Sequence, residues 1–514
     1  MNRLIVFTGT VCSLLWAFVT AMTFGLPQGW CEKIDRWTDG VMSREVFQMA
    51  NGFYYDVSNN DMPTVVFLIV FAVIFVLVFF LVSWIERRQQ KKGALGYIIG
   101  FAVLFRMILL PGELIHENDI YRYLWDGKAM VHGINPYQYA PADLFMYEHG
   151  YSEDYYDSYR KVTIKGKTFT KEDDWNLQLL GTIRDENKTL YDRIGHWQVP
   201  TIYPPAAQVL FSVPAMINGD SLILMKSFFV LFDLASFFLI ISLLRHFRMN
   251  PCLSVIYGWS PLVLFAFANG GHYDAIPIFF TLLSLFCFVN RGPMLGTSFL
   301  AVAALAKFYA GVLLPIVTRP LKMRYILWFM CMLIFAYIPY LYWNDTGVKG
   351  VFEGLLTYAK QWSYQAGLFT LIRMALGSIS PDLTVTLIPS KIAAGGLYAA
   401  VWIFLVLQKN KSELGVIHKC FWATAMLFVL NPVADPWYFC WVMPFLCFFP
   451  YRSWYLLSGL LMLSYLNFHS DIGMVNRHFA GIPYMTWLIY APFFACLALE
   501  LLRRPRFFPK SQNL

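Results

Sequence analysis

Residues 63–84 carry no charged side chain, and Glu86-Arg87-Arg88 and Lys91-Lys92 follow at once. A run of that length crosses the roughly 30 Å hydrocarbon core as a helix. No water reaches the core to satisfy the backbone, so its hydrogen bonds must close within the segment. The basic cluster behind it belongs on the cytoplasmic side, and that sets the parity of the whole chain. Residues 4–24, behind Arg3, read as a first span rather than a signal peptide, because no small-residue cleavage site precedes Gln28 and similar runs follow. Residues 25–62 then lie outside, residues 86–93 inside, and a third span over 94–110 exits just before a dense polar stretch.

Composition bears this out: 58% of residues are hydrophobic and 14% charged, against about a quarter charged in soluble domains. The net charge of +8 does not point to nucleic acid, since the basic residues sit in short loops and at the C-terminal end, where topology accounts for them. The nine cysteines fall mostly singly inside apolar runs with no CxxC spacing, so neither a disulfide framework nor a zinc site is indicated.

The expected fold class is an all-α polytopic membrane protein of 12–14 helices. Three regions divide it: residues 1–110 with three spans, residues 111–220 as a large outside loop with amphipathic helices, and residues 221–514 as a second helical bundle. Thr201-Ile202-Tyr203-Pro204-Pro205 opens a moderately apolar stretch ending near Asn218. If it crossed the membrane, Arg245, His246 and Arg248 would fall outside; as an interfacial or re-entrant segment it leaves every later basic loop inside. Later spans are expected near 221–244, 252–268, 272–290, 323–343, 383–407, 414–431, 437–450, 453–467 and 484–502, with residues 295–317 as two short helices broken around Lys307. Both termini are then inside. No strict internal repeat is found.

The polar stretch His116–Tyr137 is the candidate centre. With Asn118 as helix cap, Asp119, Arg122, Tyr123 and Asp126 share one face, while Ile120, Leu124 and Val131 share another that can lie against lipid or a neighbouring helix. Gly133 and Asn135-Pro136 end the helix. Such a helix suits an interfacial active site, and equally an amphipathic helix with a solvated face. Further polar turns on the same side carry His272 and Asp274, Asp435, and His469, Asp471, Arg477 and His478. Lys307 interrupts the apolar run Ala301–Leu314, where a lysine must snorkel, pair or hold an anion. Arg106 is expected to pair within the bundle, and Arg373 is a weaker candidate. Asn187 and Asn344 match the glycosylation acceptor pattern.

Glu117-Asn118-Asp119-Ile120-Tyr121-Arg122-Tyr123-Leu124-Trp125-Asp126-Gly127, Gly133-Ile134-Asn135-Pro136-Tyr137, Thr201 to Gln208, Gly271-His272-Tyr273-Asp274 and Ala306-Lys307-Phe308-Tyr309 together resemble the polyprenol-phosphate-mannose-dependent mannosyltransferases of the GT-C superfamily. The resemblance covers about residues 95–320. It implies a GT-C-like bundle in which Asp119, in the first large outside loop, acts on the acceptor hydroxyl. Two helices ahead of that loop, and residues 143–176 as an insertion, depart from the family's usual pattern.

The chemistry implied is inverting transfer of a hexose, expected to be mannose, from a polyprenyl-phosphate sugar to an extracytoplasmic glycan or glycolipid. Asp119 is the base. Lys307, Arg477 and His478 face the donor phosphate, and Glu117, Arg122, Asp126, Tyr203, His272, Asp274 and Asp435 bind or orient substrate. No cofactor is certain, and a divalent metal is possible without being indicated. The partners expected are donor, acceptor and membrane lipids, in a bacterial inner membrane with the site facing outward. The rival readings are a transporter or flippase for lipid-linked sugars, with Lys307 and Arg106 lining a path, and a scaffold that keeps the fold without the chemistry.

Overall fold

The computed structural model describes residues 2–24, 64–87, 93–149, 154–157, 162–165, 171–318, 322–343, 346–364, 366–377, 383–409, 412–468, 478–479 and 482–503, and helices carry most of them. The protein is an all-α polytopic membrane protein. Among the described residues seven helices are long and apolar enough to cross a bilayer: Asn2–Thr23, Thr64–Glu86, Leu222–His246, Met323–Tyr342, Thr386–Leu407, Glu413–Leu430 and Tyr484–Arg503. A further apolar pair, Pro251–Gly258 with Pro261–Asn269, is bent by 54°, as in a broken span or a re-entrant loop. The bend falls where Pro261 removes a backbone donor and Ser260 caps the second half through Val263 N.

The rest of the bundle consists of short or interrupted helices. Ala94–Leu109, Ala275–Val289 and Pro293–Ala306 are apolar but below span length. The expected break at Lys307 is present: its backbone is extended, φ −154° and ψ 125°, between the helix ending at Ala306 and a 3-10 turn over Phe308–Leu313. The span expected over 437–450 is instead a 3-10 segment, Pro436–Trp441, followed by one α-turn, Met443–Leu446. Pro444 removes a donor inside that stretch, where it interrupts the helical ladder. Likewise, Arg452–Leu460 passes into 3-10 geometry over Leu461–Phe468.

The polar segment after residue 110 folds as Asp119–Val131, Pro141–His149, an antiparallel hairpin pairing Asp154–Asp157 with Val162–Lys165, and helices Lys171–Glu186 and Lys188–Asp192. The Tyr-Pro-Pro stretch becomes the 14-residue helix Pro205–Asn218, about 21 Å at 1.5 Å per residue and so shorter than the hydrocarbon core. It lies tightly along Asp119–Val131: a Cβ on Gly127 would sit 2.5 Å from the Phe211 carbonyl oxygen.

That packing corrects the picture of a solvated amphipathic helix. Ile120 and Leu124 are fully buried against protein rather than lipid, and Arg122, Asp126 and Lys128 are buried too, leaving Val131 exposed. Each buried charge has a partner. Lys128 Nζ reaches Glu186 at 3.1 Å and Asp220 at 2.9 Å. Arg106 is fully buried and binds Asp233 through Nε and Nη2, while Nη1 donates to the carbonyls of Ala102 and Gly258. Deep ion pairs are tolerated only when their remaining hydrogen bonds are made. Arg106 is therefore paired within the bundle, as expected.

Candidate active site

The loop between Leu109 and Asp119 is fixed at several points. Lys226 Nζ donates to Gly112 O at 2.8 Å. Asn269, ending a π-turn, accepts from Ile115 N at 3.1 Å and donates to Glu113 O at 2.7 Å. His116 adopts φ 55° and bonds Thr64 through Nε2. A non-glycine residue held in that region costs on the order of 1–3 kcal/mol, and the surrounding contacts must hold it there. Asn118 occupies the N-cap position, but its side chain makes no capping bond, contrary to expectation. Asp119 thus opens the helix in its first turn, where the helix dipole favours an anion.

From there the helical repeat deals out two pairs. Tyr123 Oη donates to Asp119 Oδ2 at 3.4 Å. Arg122 Nε holds Asp126 Oδ1 at 2.8 Å, and Arg122 Nη1 donates to Val199 O at 2.9 Å. Gln208 Nε2 joins Asp126 Oδ2 at 3.3 Å and Thr201 Oγ1 at 2.8 Å. Arg122 and Asp126 therefore tie the helix to the 199–208 segment, whereas Asp119 stays 29% exposed.

Behind Asp119 stands a buried acid and imidazole array. His272 places Nε2 3.3 Å from Glu117 Oε2 and Nδ1 3.7 Å from Asp119 Oδ2. Its ring lies flat on Trp437, centroids 4.1 Å apart, and neither nitrogen closes a well-aligned hydrogen bond. Tyr465 Oη donates to Glu117. Burial pushes the Glu117 carboxyl up, with His272 and Tyr465 opposing. For His272 burial works downward, but the carboxylates of Glu117, Asp119 and Asp274 outweigh it and raise the ring's proton affinity.

Lys307 and Asp274, which the sequence places in separate roles, form an ion pair of 2.6 Å. Trp441 Nε1 also donates to Asp274 Oδ1, at 2.6 Å. The ammonium lies 4.1 Å from the ring centre of Tyr438 and 4.9 Å from that of Tyr273, within cation–π reach. Asp435, in the turn after Leu430, has its carboxyl pushed up to about 8, first by desolvation and then by Asp119 and Glu117.

These groups surround a cavity of about 800 Å³ whose wall includes Glu117, Asp119, Arg122, Tyr203, Lys307 and Asp435. Among the candidates, His272, Asp274 and Asp126 stand behind that wall. Arg477, His469, Asp471 and Asn344 lie outside the described residues. His478 pairs with Pro483 in a two-residue strand. The sequence reading missed His196, Tyr358, Trp362 and Trp437, which also line the cavity; aromatic residues at span ends look the same whether they face a site or a membrane interface. Among the described residues no group of three or more His, Cys, Asp and Glu side chains is arranged to hold a metal ion.

Residues 182–321 match the family model described as the alpha-(1->6)-mannopyranosyltransferase N-terminal domain. The matched stretch contains Tyr203, His272, Asp274 and Lys307 and stops short of Asp119. The match supports a mannosyltransferase family and hence a sugar-transferring enzyme. No curated protein and no solved structure matches the chain.

Proposed function

We propose that the protein is an inverting mannosyltransferase of GT-C type, using a polyprenyl-phosphate mannose donor and a glycan or glycolipid acceptor outside the cytoplasm, with both termini inside a bacterial inner membrane. The observation that carries this is Asp119: it is the carboxylate in the mannosyltransferase-like chain that opens a helix at the cavity wall, partly exposed and backed by His272 and Tyr123.

In the proposed step the acceptor oxygen attacks the sugar's C1 from the face opposite the phosphate. The C1–O bond to phosphate breaks, its electron pair stays on the phosphate, and the hydroxyl proton passes to Asp119 Oδ2. Lys307 has one ammonium hydrogen committed to Asp274 and two left for charge that develops on the leaving oxygen. Arg477 and His478 are further candidates for that phosphate. Arg122 and Asp126 orient the helix, while Tyr203 and Asp435 contact substrate. The donor is membrane-soluble because nucleotide sugars are cytosolic, and the apolar wall at Ile202, Pro204, Phe308 and Leu355 suits an isoprenoid.

The decisive experiment incubates purified protein in sealed proteoliposomes with labelled polyprenyl-phosphate mannose and mannoside acceptors. Product of inverted anomeric configuration supports the reading. Movement of intact donor across a bilayer with no product would favour the flippase reading, and absence of both would favour a scaffold.

A further inference from the structure

His196 and Trp362 form a feature of the cavity wall that the transfer step does not use. His196 is one of four non-glycine residues at positive φ among the described residues, at φ 50°. Gly195 before it abuts the residue next to the proposed base, since a Cβ there would fall 2.8 Å from Asn118 Oδ1. The turn thereby presents the imidazole to the cavity. Its ring meets Trp362 edge to face, with centroids 4.9 Å apart and planes at 72°.

Trp362 is equally well supported. Its carbonyl and those of Ala359 and Lys360 accept from Lys391 Nζ at 2.8–3.1 Å. Two residues on, Tyr364 N donates to Pro432 O and Tyr364 O accepts from Ala434 N, joining the strap to the turn that carries Asp435. The backbone is therefore fixed while the indole stays half-exposed in the cavity. Among the described residues neither the imidazole nor the indole N–H has a hydrogen-bond partner, and Gln361 and Ser363 beside them are also uncommitted and line the same wall.

A fixed aromatic face bordered by free donors and acceptors matches a pyranose, which offers an apolar C–H face for the indole and hydroxyls for the imidazole and amide. The cavity volume of about 800 Å³ is toward the upper end of ligand sites, roughly 300–1,000 Å³, leaving room beyond the reacting sugars. We infer that His196 and Trp362 form a second pyranose subsite, which holds the acceptor's sugar one unit away from the hydroxyl that reacts at Asp119. This rests on the transferase reading above.

The test measures kcat/KM for a mannotriose acceptor and for methyl mannoside, with polyprenyl-phosphate mannose as donor, in wild-type protein, Trp362→Ala, Trp362→Tyr and His196→Asn; asparagine tolerates the left-handed backbone. The ratio of triose to monosaccharide efficiency is expected to fall about tenfold in Trp362→Ala and several-fold in His196→Asn, and to recover in Trp362→Tyr, with the change carried by the acceptor KM. An unchanged ratio in both Trp362→Ala and His196→Asn overturns the subsite. A rise in donor KM in place of acceptor KM also overturns it, assigning the aromatic face to the donor sugar. Wild-type protein inactive with every acceptor would instead sink the transferase reading, which separates the two failures.

Discussion

Lys307 Nζ lies 2.6 Å from Asp274 Oδ1, and Trp441 donates to that same oxygen. Asp274 is fully buried and Lys307 nearly so, so neither charge is left to lipid. Removing one partner of such a pair costs roughly 3–5 kcal/mol, because the other charge stays behind, whereas removing both costs much less. Asp274→Ala should therefore lower the thermal midpoint in detergent markedly, and Lys307→Met with Asp274→Leu should recover most of the loss. Additive effects in that double-mutant cycle would show the two residues uncoupled.

Asp119 is the carboxylate on which the proposed chemistry turns. Asp119→Asn preserves shape and the Tyr123 contact but cannot take a proton, so transfer should drop by about 10²–10⁴, the usual worth of general base catalysis. Donor binding, followed by quenching of the cavity tryptophans, should stay within a few-fold of wild type. A variant that transfers at full rate would remove Asp119 from the role.

Seven of the expected spans, the break at Lys307 and the shared face of Asp119, Arg122, Tyr123 and Asp126 were legible in the sequence, because hydropathy and the 3.6-residue repeat are local properties. Partner identity was not: Arg106 finds Asp233 127 residues away, and a lone arginine in an apolar run looks the same before its partner is known. The amphipathic pattern of Asp119–Val131 left lipid and a neighbouring helix open as partners, since a helix covered by the Pro205–Asn218 segment has the same periodicity as one lying on a membrane. The strap from Tyr358 to Tyr364 went unread for a related reason. Its aromatic residues serve a cavity wall, yet their spacing is that of an interfacial belt.

Asp435 gives the site a testable pH dependence. With its carboxyl pushed up to about 8, it is neutral at pH 7 and becomes an anion as pH rises through 8. The added negative charge faces Asp119 and Glu117 and opposes the developing phosphate charge, so kcat should fall above pH 8. Asp435→Asn, which stays neutral, should retain activity across that range. A high-pH limb that persists in Asp435→Asn would assign the titration to another group.

Gly127 tests whether the close approach of the two helices sets the site. A Cβ there would lie 2.5 Å from the Phe211 carbonyl oxygen and 2.9 Å from its carbon, both backbone atoms that cannot rotate aside. Gly127→Ala must push Pro205–Asn218 away from Asp119–Val131, straining the neighbouring Arg122–Asp126–Gln208 bonds, at roughly 1–3 kcal/mol for overpacking. Gly96 is the control: it lies inside the Ala94–Leu109 helix with nothing within 4 Å of an added Cβ. Alanine there should stabilise by about 0.4–1 kcal/mol through the unfolded chain. A lower thermal midpoint and lost transfer in Gly127→Ala, beside an unchanged or raised midpoint in Gly96→Ala, would show that the packed pair positions Asp119. Equal shifts in both variants would mean the contact is relaxed elsewhere.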